Sequence, residues 1–259
     1  MIRFDHDLCT RCGRCVANCS VHAIREEENG LVCDENRCFR CHQCVAICPV
    51  GAVTAEGMEP PVPYEKERFT LDPENLLNAM RFRRSIRRFT GEKLTQEELE
   101  KLLTAGRCAP TSSNSQTVQF TVLDQDFEQI RPRIWASFGK LAEENGWTAL
   151  TERYQRYLAD PNAPDTLFYG GTQMIVVSSR RPIDGALALA NMELLAHAMG
   201  LGTLYCGFAV RGISADEELM EYFGLNEKGR HLDGCLVVGR TELEFYRTAT
   251  RNELQINWR

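Results

Sequence analysis

The stretch CTRCGRCVANCS, residues 9–20, sets four cysteines at Cys9, Cys12, Cys15 and Cys19. It returns as CFRCHQCVAICP at residues 38–49. A shift of 29 positions lays those cysteines on Cys38, Cys41, Cys44 and Cys48. The same shift lays Arg11 on Arg40, Val16 on Val45, Ala17 on Ala46, Val21 on Val50 and Ala23 on Ala52. A self-match that runs through cysteines and spacers alike denotes two copies of one structural unit. Eight of the twelve cysteines belong to these two groups.

The spacing bears on what the cysteines hold. Zinc sites commonly draw Cys-x-x-Cys pairs together across a longer loop, four ligands to one ion. Here each copy reads Cys-x-x-Cys-x-x-Cys, with a fourth cysteine after three more residues. Three such thiolates suit three corners of one iron–sulfur cubane, and the fourth does not comfortably return to the same cluster. Two zinc ions or inert buried thiols are the plainer alternatives. Residues 1–57 resemble a bacterial two-cluster [4Fe-4S] ferredoxin, in which each run's fourth cysteine serves the other cluster. The resemblance implies one cluster on Cys9, Cys12, Cys15 and Cys48 and a second on Cys38, Cys41, Cys44 and Cys19. Pro49 follows Cys48 as in that pattern, whereas Ser20 follows Cys19. Such a module stores and passes single electrons and performs no substrate chemistry.

The bulk composition of the 259 residues, 43% hydrophobic and 25% charged, is that of a soluble globular protein with a sizeable core. A net charge of −6 argues against a general nucleic-acid binder. No run approaches a membrane span, and the start MIRFDHDLCTRC is not of signal-peptide type. The expected location is the cytoplasm, where abundant cysteines point to metal or catalysis rather than disulfides.

Residues 58–70, MEPPVPYEKERFT, read as a semi-rigid spacer, and a second domain is expected over 71–259. Asp72 before Pro73 marks a helix start, with Leu76, Leu77 and Met80 on one face. Thr95 and Glu98 form a capping box before Leu99, Leu102 and Leu103. Strands are expected at 118–123, 173–179, 203–206 and 235–239, amphipathic helix over most of 125–160, and a long apolar helix ending at Gly200 or Gly202. Strands alternating with helices predict an α+β or α/β layer around one sheet. The polar tail RNELQINWR reads as an arm laid on a neighbour.

RFRRSIRRF, residues 81–89, sets five arginines beside Ser85, Ile86 and Phe89. Clustered guanidiniums next to a hydroxyl suit a phosphate or another small polyanion, the plainer alternative being a solvated basic face. APTSSNSQ, residues 109–116, is a loop of small hydroxyl and amide side chains able to bond a heterocycle edge. No Gly-x-Gly-x-x-Gly fingerprint is present, so no Rossmann nicotinamide domain is expected.

With RRSIRRF, APTSSNSQ, the helix ALALANMELLAHAMGLGTLYCG and a late Arg251 before a C-terminal Trp, residues 71–259 resemble the nitroreductase family of FMN enzymes. The resemblance implies an α+β homodimer with two FMN molecules at the subunit interface. Arg83, Arg84 and Ser85 would hold the FMN phosphate and ribityl chain. Arg87 would approach the pyrimidine edge, where a cation stabilises reduced flavin. Pro110, Thr111, Ser112 and Asn114 would contact the ring from the other subunit, Cys206 and Gly207 would pass beside it, and Arg251 would close over the phosphate. Thr117 and Val118 stand where the family often has Pro-Trp, and 125–170 matches poorly, so the substrate is left open. Cys33, Cys108, Cys206 and Cys235 are expected as small buried hydrophobes, Cys206 being the one placed to meet flavin, and His197 as a packing residue.

Clusters move single electrons, and flavin accepts one or two. The combination implies an FMN-dependent iron–sulfur oxidoreductase that takes electrons from a ferredoxin or NAD(P)H and reduces a nitroaromatic, quinone or activated alkene. The alternative is an electron-transfer subunit of a larger complex with no small-molecule turnover of its own. Flavin fragmentation, a third reading, consumes oxygen that exposed clusters tolerate badly. No residue is assigned a catalytic role.

Overall fold

The structure, a computed structural model, describes residues 1–160 and 163–259. The chain forms two compact units, Met1–Thr70 with Ser112–Ser115, and Leu71–Thr111 with Gln116–Arg259.

In the first unit the 29-residue repeat is written into the backbone. The elements are β1 (Ile2–Phe4), α1 (Arg14–Ala17), β2 (Ile24–Glu27), β3 (Gly30–Cys33), α2 (Gln43–Ile47) and β4 (Val53–Ala55). Strands pair across the copies, β1 with β4 and β2 with β3, both antiparallel. Each copy therefore supplies one strand to each ribbon, and neither is complete alone. Left-handed residues recur at matching positions: Arg11 and Arg40 at φ 53° and 52°, Gly13 and His42 at 72° and 57°, His22 and Gly51 at 50° and 69°. Arg, His and other L residues adopt that region at a cost, so surrounding structure must impose it. Cys9 N–H donates to the Asp5 carbonyl and Cys38 N–H to that of Asp34, at 3.0 and 3.1 Å. The expected spacer is mostly irregular, with a short helix α3 (Lys66–Phe69) near its end.

The second unit is built on a four-stranded antiparallel sheet ordered β5 (Gln119–Leu123), β6 (Gln173–Ser179), β8 (His231–Gly239), β7 (Gly202–Tyr205). Alternation along the two central strands divides the apolar core between the faces. Met174, Val176, Cys235 and Val237 enter one cluster, with Trp135, Phe138 and Ile213 of α6 (Phe127–Glu144) and α9 (Gly207–Ser214). Ile175, Val177, Leu236 and Val238 enter the other, with Leu99, Leu102, Leu189 and Met192 of α5 (Gln96–Arg107) and α8 (Pro182–Ala198). A strand covered on both faces reads as a continuous apolar run, as QMIVVSS does. The result is the expected α+β architecture, a sheet between two helical layers. The remaining helices are α4 (Pro73–Phe82), α7 (Thr148–Ala159) and α10 (Glu217–Tyr222).

The capping box forms as read: Glu98 N–H donates to Thr95 Oγ1 at 3.2 Å and Thr95 N–H to Glu98 Oε2 at 2.8 Å. Asp72 caps α4 by accepting from Asn75 N–H at 2.7 Å. Other expectations shift. The helical stretch after 125 is two helices, broken where Gly146 takes φ 67°. β8 begins at His231 rather than 235, because His231 and Leu232 pair with Ser179 and Ser178 although neither segment is markedly apolar there. α4 buries no side chain within the chain, and Leu77 and Met80 are 38% and 45% exposed.

α9 lies against α6 at Gly212, where an added Cβ would stand 2.7 Å from the Ile134 carbonyl oxygen. Backbone cannot yield as a side-chain tip does. Gly212→Ala is therefore expected to lower stability by about 1–3 kcal/mol, read as a lower thermal midpoint; an unchanged midpoint would show that this contact is slack.

Candidate functional site

In the first unit the eight repeat cysteines surround two small cavities. Cys9, Cys12, Cys15 and Cys48 line one, with Thr10, Gly13, Arg14, Leu31, Val50 and Val53. Cys38, Cys41, Cys44 and Cys19 line the other, with Cys33 as a fifth. Each cavity thus takes three cysteines from one copy and the fourth from its counterpart. Backbone donors reach the sulfurs: Ala23 N–H to Cys19 Sγ at 3.3 Å, Ala52 N–H to Cys48 Sγ at 3.2 Å, and Arg40 N–H to Cys38 Sγ at 3.3 Å. The first two bonds are equivalent in the repeat. Donors of this kind favour thiolate and sulfide sulfur. Among the described residues no three of His, Cys, Asp or Glu are drawn together around a single ion. The sulfurs stand around a space, as cluster ligands do, and the residues fit a polynuclear group better than zinc.

In the second unit the arginine stretch runs extended along the outer edge of β7. Ile86 N–H donates to the Thr203 carbonyl at 2.8 Å, and Ser85 bridges Thr203 in parallel register. Ile86 and Phe89 are buried and fasten the segment. Phe89 fits a notch left by glycines: a Cβ on Gly239 or Gly202 would meet its ring at 3.0 or 3.1 Å. With the apolar residues inward, the arginines are presented outward or sideways. Arg84 Nη1 donates to the Arg83 carbonyl at 2.6 Å, while its Nη2 is buried with no hydrogen-bond partner among the described residues. A buried guanidinium nitrogen without an acceptor is costly and suits an anionic ligand. Arg83 is held by Glu193, a buried carboxylate on α8. Burial pushes Glu193 up in pKa and the Arg83 cation opposes this. Tyr205 donates its hydroxyl to Glu193, and its own pKa is raised by burial and then by that carboxylate.

Arg87 lines a cavity of ≈250 Å³ with Tyr169, Tyr205, Cys206, Gly207, Phe208 and Arg211. Burial pushes the Cys206 thiol up to about 11, so it remains a neutral wall. Arg211 lies over the Trp147 ring at 5.0 Å. The structure thus brings Arg87, Cys206 and Gly207 together, with Arg83, Arg84 and Ser85 on the strand leading to them. Pro110, Thr111, Ser112 and Asn114 do not line this cavity. Thr111 lines a separate groove with Leu103, Gln116, Val118 and Phe120, and its Oγ1 accepts from Gln116 N–H at 3.0 Å. Asn114 Nδ2 donates to the Arg40 carbonyl at 2.8 Å within the first unit. Arg251 is exposed in a C-terminal tail without helix or strand.

Sequence reasoning missed Glu193 and Tyr205, which lie within ALALANMELLAHAMGLGTLYCG but were given no role there, and Tyr169 and Arg211, which carry no motif. Two of the leftover cysteines also differ from expectation. Cys108, at the exposed C-terminal cap of α5, is not buried. Cys33 is half-buried beside Cys38 and Cys44 at the edge of the first unit's small core. His197 is partly buried, and burial with the nearby Arg83 cation lowers its pKa, as fits a neutral packing residue.

The nitroreductase family pattern matches residues 80–240, from the arginine stretch through β8. The chain belongs to the nitroreductase family. A 4Fe-4S dicluster domain pattern matches residues 8–52, ahead of the nitroreductase domain. An NADPH-dependent oxidoreductase of Staphylococcus aureus strain MRSA252 is 27% identical over 153 residues, covering 57% of this chain. The match spans 59% of that relative's length. The nitroreductase of Bacteroides fragilis, solved with bound FMN, superposes with a TM-score of 0.56 at 22% identity, over 70% of this chain and 97% of that one. An FMN-dependent nitroreductase of Clostridium difficile gives 0.55 at 19%, over 72% and 99%. At that identity the superpositions establish the nitroreductase fold alone. No helix among the described residues is long and apolar enough to cross a membrane.

The crossed lining of the cysteine cavities ahead of the nitroreductase domain predicts how paired substitutions combine. With one [4Fe-4S] cluster in each cavity, Cys19→Ala with Cys41→Ala would remove two ligands from one cavity and leave about four irons per chain, whereas Cys19→Ala with Cys12→Ala would cost each cavity a ligand and leave nearly none. The reverse outcome by anaerobic iron assay would show that each copy closes its own cluster.

Proposed function

We propose that the chain is an FMN-dependent iron–sulfur oxidoreductase, with two [4Fe-4S] clusters and a flavin in one polypeptide. The observation that carries this reading is a pair of cysteine-walled cavities in a chain that also holds a nitroreductase cavity edged by arginines. FMN, when bound, supplies chemistry that interconverts one-electron and two-electron transfer. The residues have separable tasks. Arg84, with its unpartnered nitrogen, and Ser85 bind the phosphate end. Arg83, held by Glu193, lends a cation whose position is fixed by a buried carboxylate. Arg87 faces the cavity without an acidic partner among the described residues and favours negative charge there. Gly207, with no atom within 4 Å of an added Cβ, leaves its N–H approachable. Cys206 keeps that wall dry and neutral.

A second copy completes the site in this reading. Pro110, Thr111, Ser112 and Asn114 lie outside the Arg87 cavity, so a partner would have to bring its own. Exposed apolar surface supports such a homodimer: Leu77 and Met80 on α4, and the tail residues Leu254 and Trp258 at 80% and 89% exposure. Arg251 belongs to that tail.

The electron donor is proposed to be NADPH or a reduced ferredoxin. The NADPH dependence of the Staphylococcus aureus relatives favours the first, and the dicluster domain favours the second. The acceptor is proposed to be an electron-poor small molecule such as a nitroaromatic, quinone or activated alkene. A cavity with aromatic walls from Tyr169, Tyr205 and Phe208 suits a flat molecule.

Two substitutions separate the tasks. Arg84→Ala is expected to weaken FMN binding and to leave riboflavin, which has no phosphate, unaffected in a fluorescence titration. Arg87→Ala should lower acceptor turnover on the order of 10²-fold with iron content unchanged. Equal losses for FMN and riboflavin, or unaltered turnover in the second variant, would remove those residues from the assigned roles.

A further inference from the structure

The repeat supplies an internal control for the surroundings of each cavity. Thr10, Gly13, Arg14, Leu31, Val50 and Val53 line the first beside its cysteines. Their counterparts under the 29-residue shift, Phe39, His42, Gln43, Ile2, Val21 and Ile24, all line the second. The correspondence is complete in that direction. It fails in the other, because Ser20, Ala23 and Cys33 line the second cavity only. Their counterparts are Pro49, which has no N–H, Ala52, and Phe4, whose side chain has no polar atom. The paired positions also differ in charge. Arg14, at the first cavity, is replaced by the neutral Gln43 at the second.

We propose that the two clusters are tuned by different groups: Arg14 raises the reduction potential of the one on Cys9, Cys12, Cys15 and Cys48, and Cys33, helped by Ser20, raises that of the other. This rests on reading the cysteine quartets as [4Fe-4S] ligands. One-electron reduction of a cubane adds one negative charge and breaks no bond, so any group that stabilises the added charge shifts the potential upward. Arg14 does so as a cation near Cys12, with no ion pair among the described residues to neutralise it. Its exposure to water weakens the effect, since the field is screened. Cys33 does so as a neutral S–H donor, weaker as a charge but half-buried among sulfurs where screening is poor. The two devices act on different cavities. Near-identical folding units thereby become two distinct electron sites without altering a ligand.

Cys33 has a further property that marks it as a tuning group and not a spare ligand. It sits at the end of β3, paired with Ile24 across the ribbon. That ladder fixes its backbone, whereas the ligands Cys38, Cys41 and Cys44 come from the loop and helix start that follow.

The test is an anaerobic potentiometric titration of the full-length holoprotein, followed by electron paramagnetic resonance and iron–sulfur absorbance. The comparison takes in the wild type, Cys33→Ala, Arg14→Gln and the double variant, with dithionite as reductant. Iron and labile sulfide are assayed in each. Cys33→Ala is expected to move half of the titrating signal to a more negative midpoint. Arg14→Gln should move the other half, and the double variant both, all with about eight irons retained. Both substitutions shifting the same half, or neither shifting any, with iron retained, would overturn the proposal alone. Absence of cubane iron in the wild type would overturn the reading beneath it. Loss of half the iron in Cys33→Ala would show that Cys33 is a ligand, which also overturns the proposal.

Discussion

Cys19 and Cys48 leave the copies that carry them and line the cavity of the other. That exchange is the constraint on which the N-terminal unit depends. About seventy residues with few large apolar side chains cannot build much core, and small domains commonly lean on metals for this reason. Here the core is a short row, Cys15, Ile24 and Leu31, edged by Phe4, Val16, Ile47 and four further cysteines. The strands are crossed between copies in the same way, so neither copy has a fold of its own. Bound clusters would tie the halves together a second time, and loss of metal is expected to loosen the whole unit rather than one end.

The second unit solves a different problem. Its sheet is buried on both faces by alternating residues, which gives it a conventional core and frees its edges for chemistry. The outer edge of β7 takes the arginine segment as a partial fifth strand, and Phe89 in its glycine notch sets the register. Arg84 and Arg87 are then placed by apolar anchors rather than by each other, which like charges could not accomplish. Glu193 relieves part of the repulsion by fixing Arg83 from beneath. The cost is a buried carboxylate, which is tolerable only because a guanidinium and a phenol both reach it.

Much of this was legible in the sequence, for identifiable reasons. The repeat was legible because turn-forming residues, ligands and apolar contacts all recur at one spacing. The central strands were legible because double burial leaves no polar positions in MIVV. Caps at Asp72 and Thr95 were legible because they are local. What was hidden is what depends on distant partners. Glu193 occupies a position that helical periodicity counts as core, and only the folded chain shows Arg83 waiting there. The start of β8 at His231 is set by pairing with Ser179 and not by its own composition. Cys33 looked like a spare thiol because only the folded chain sets it in the wall of the second cavity, at a position where the first has no equivalent. The apolar face of α4 was read correctly as apolar, but nothing in a single sequence says whether such a face is covered by the chain itself or by another copy.

The central claim is that centres of two kinds in this one polypeptide exchange electrons. The most direct test is anaerobic rapid mixing of the holoprotein with NADPH or a reduced ferredoxin, with flavin and iron–sulfur absorbance resolved at separate wavelengths. The account predicts that one chromophore is reduced first and that the other follows at a rate independent of donor concentration, as an internal transfer requires. Reduction of each chromophore with its own dependence on donor, and no redistribution between them afterwards, would contradict it.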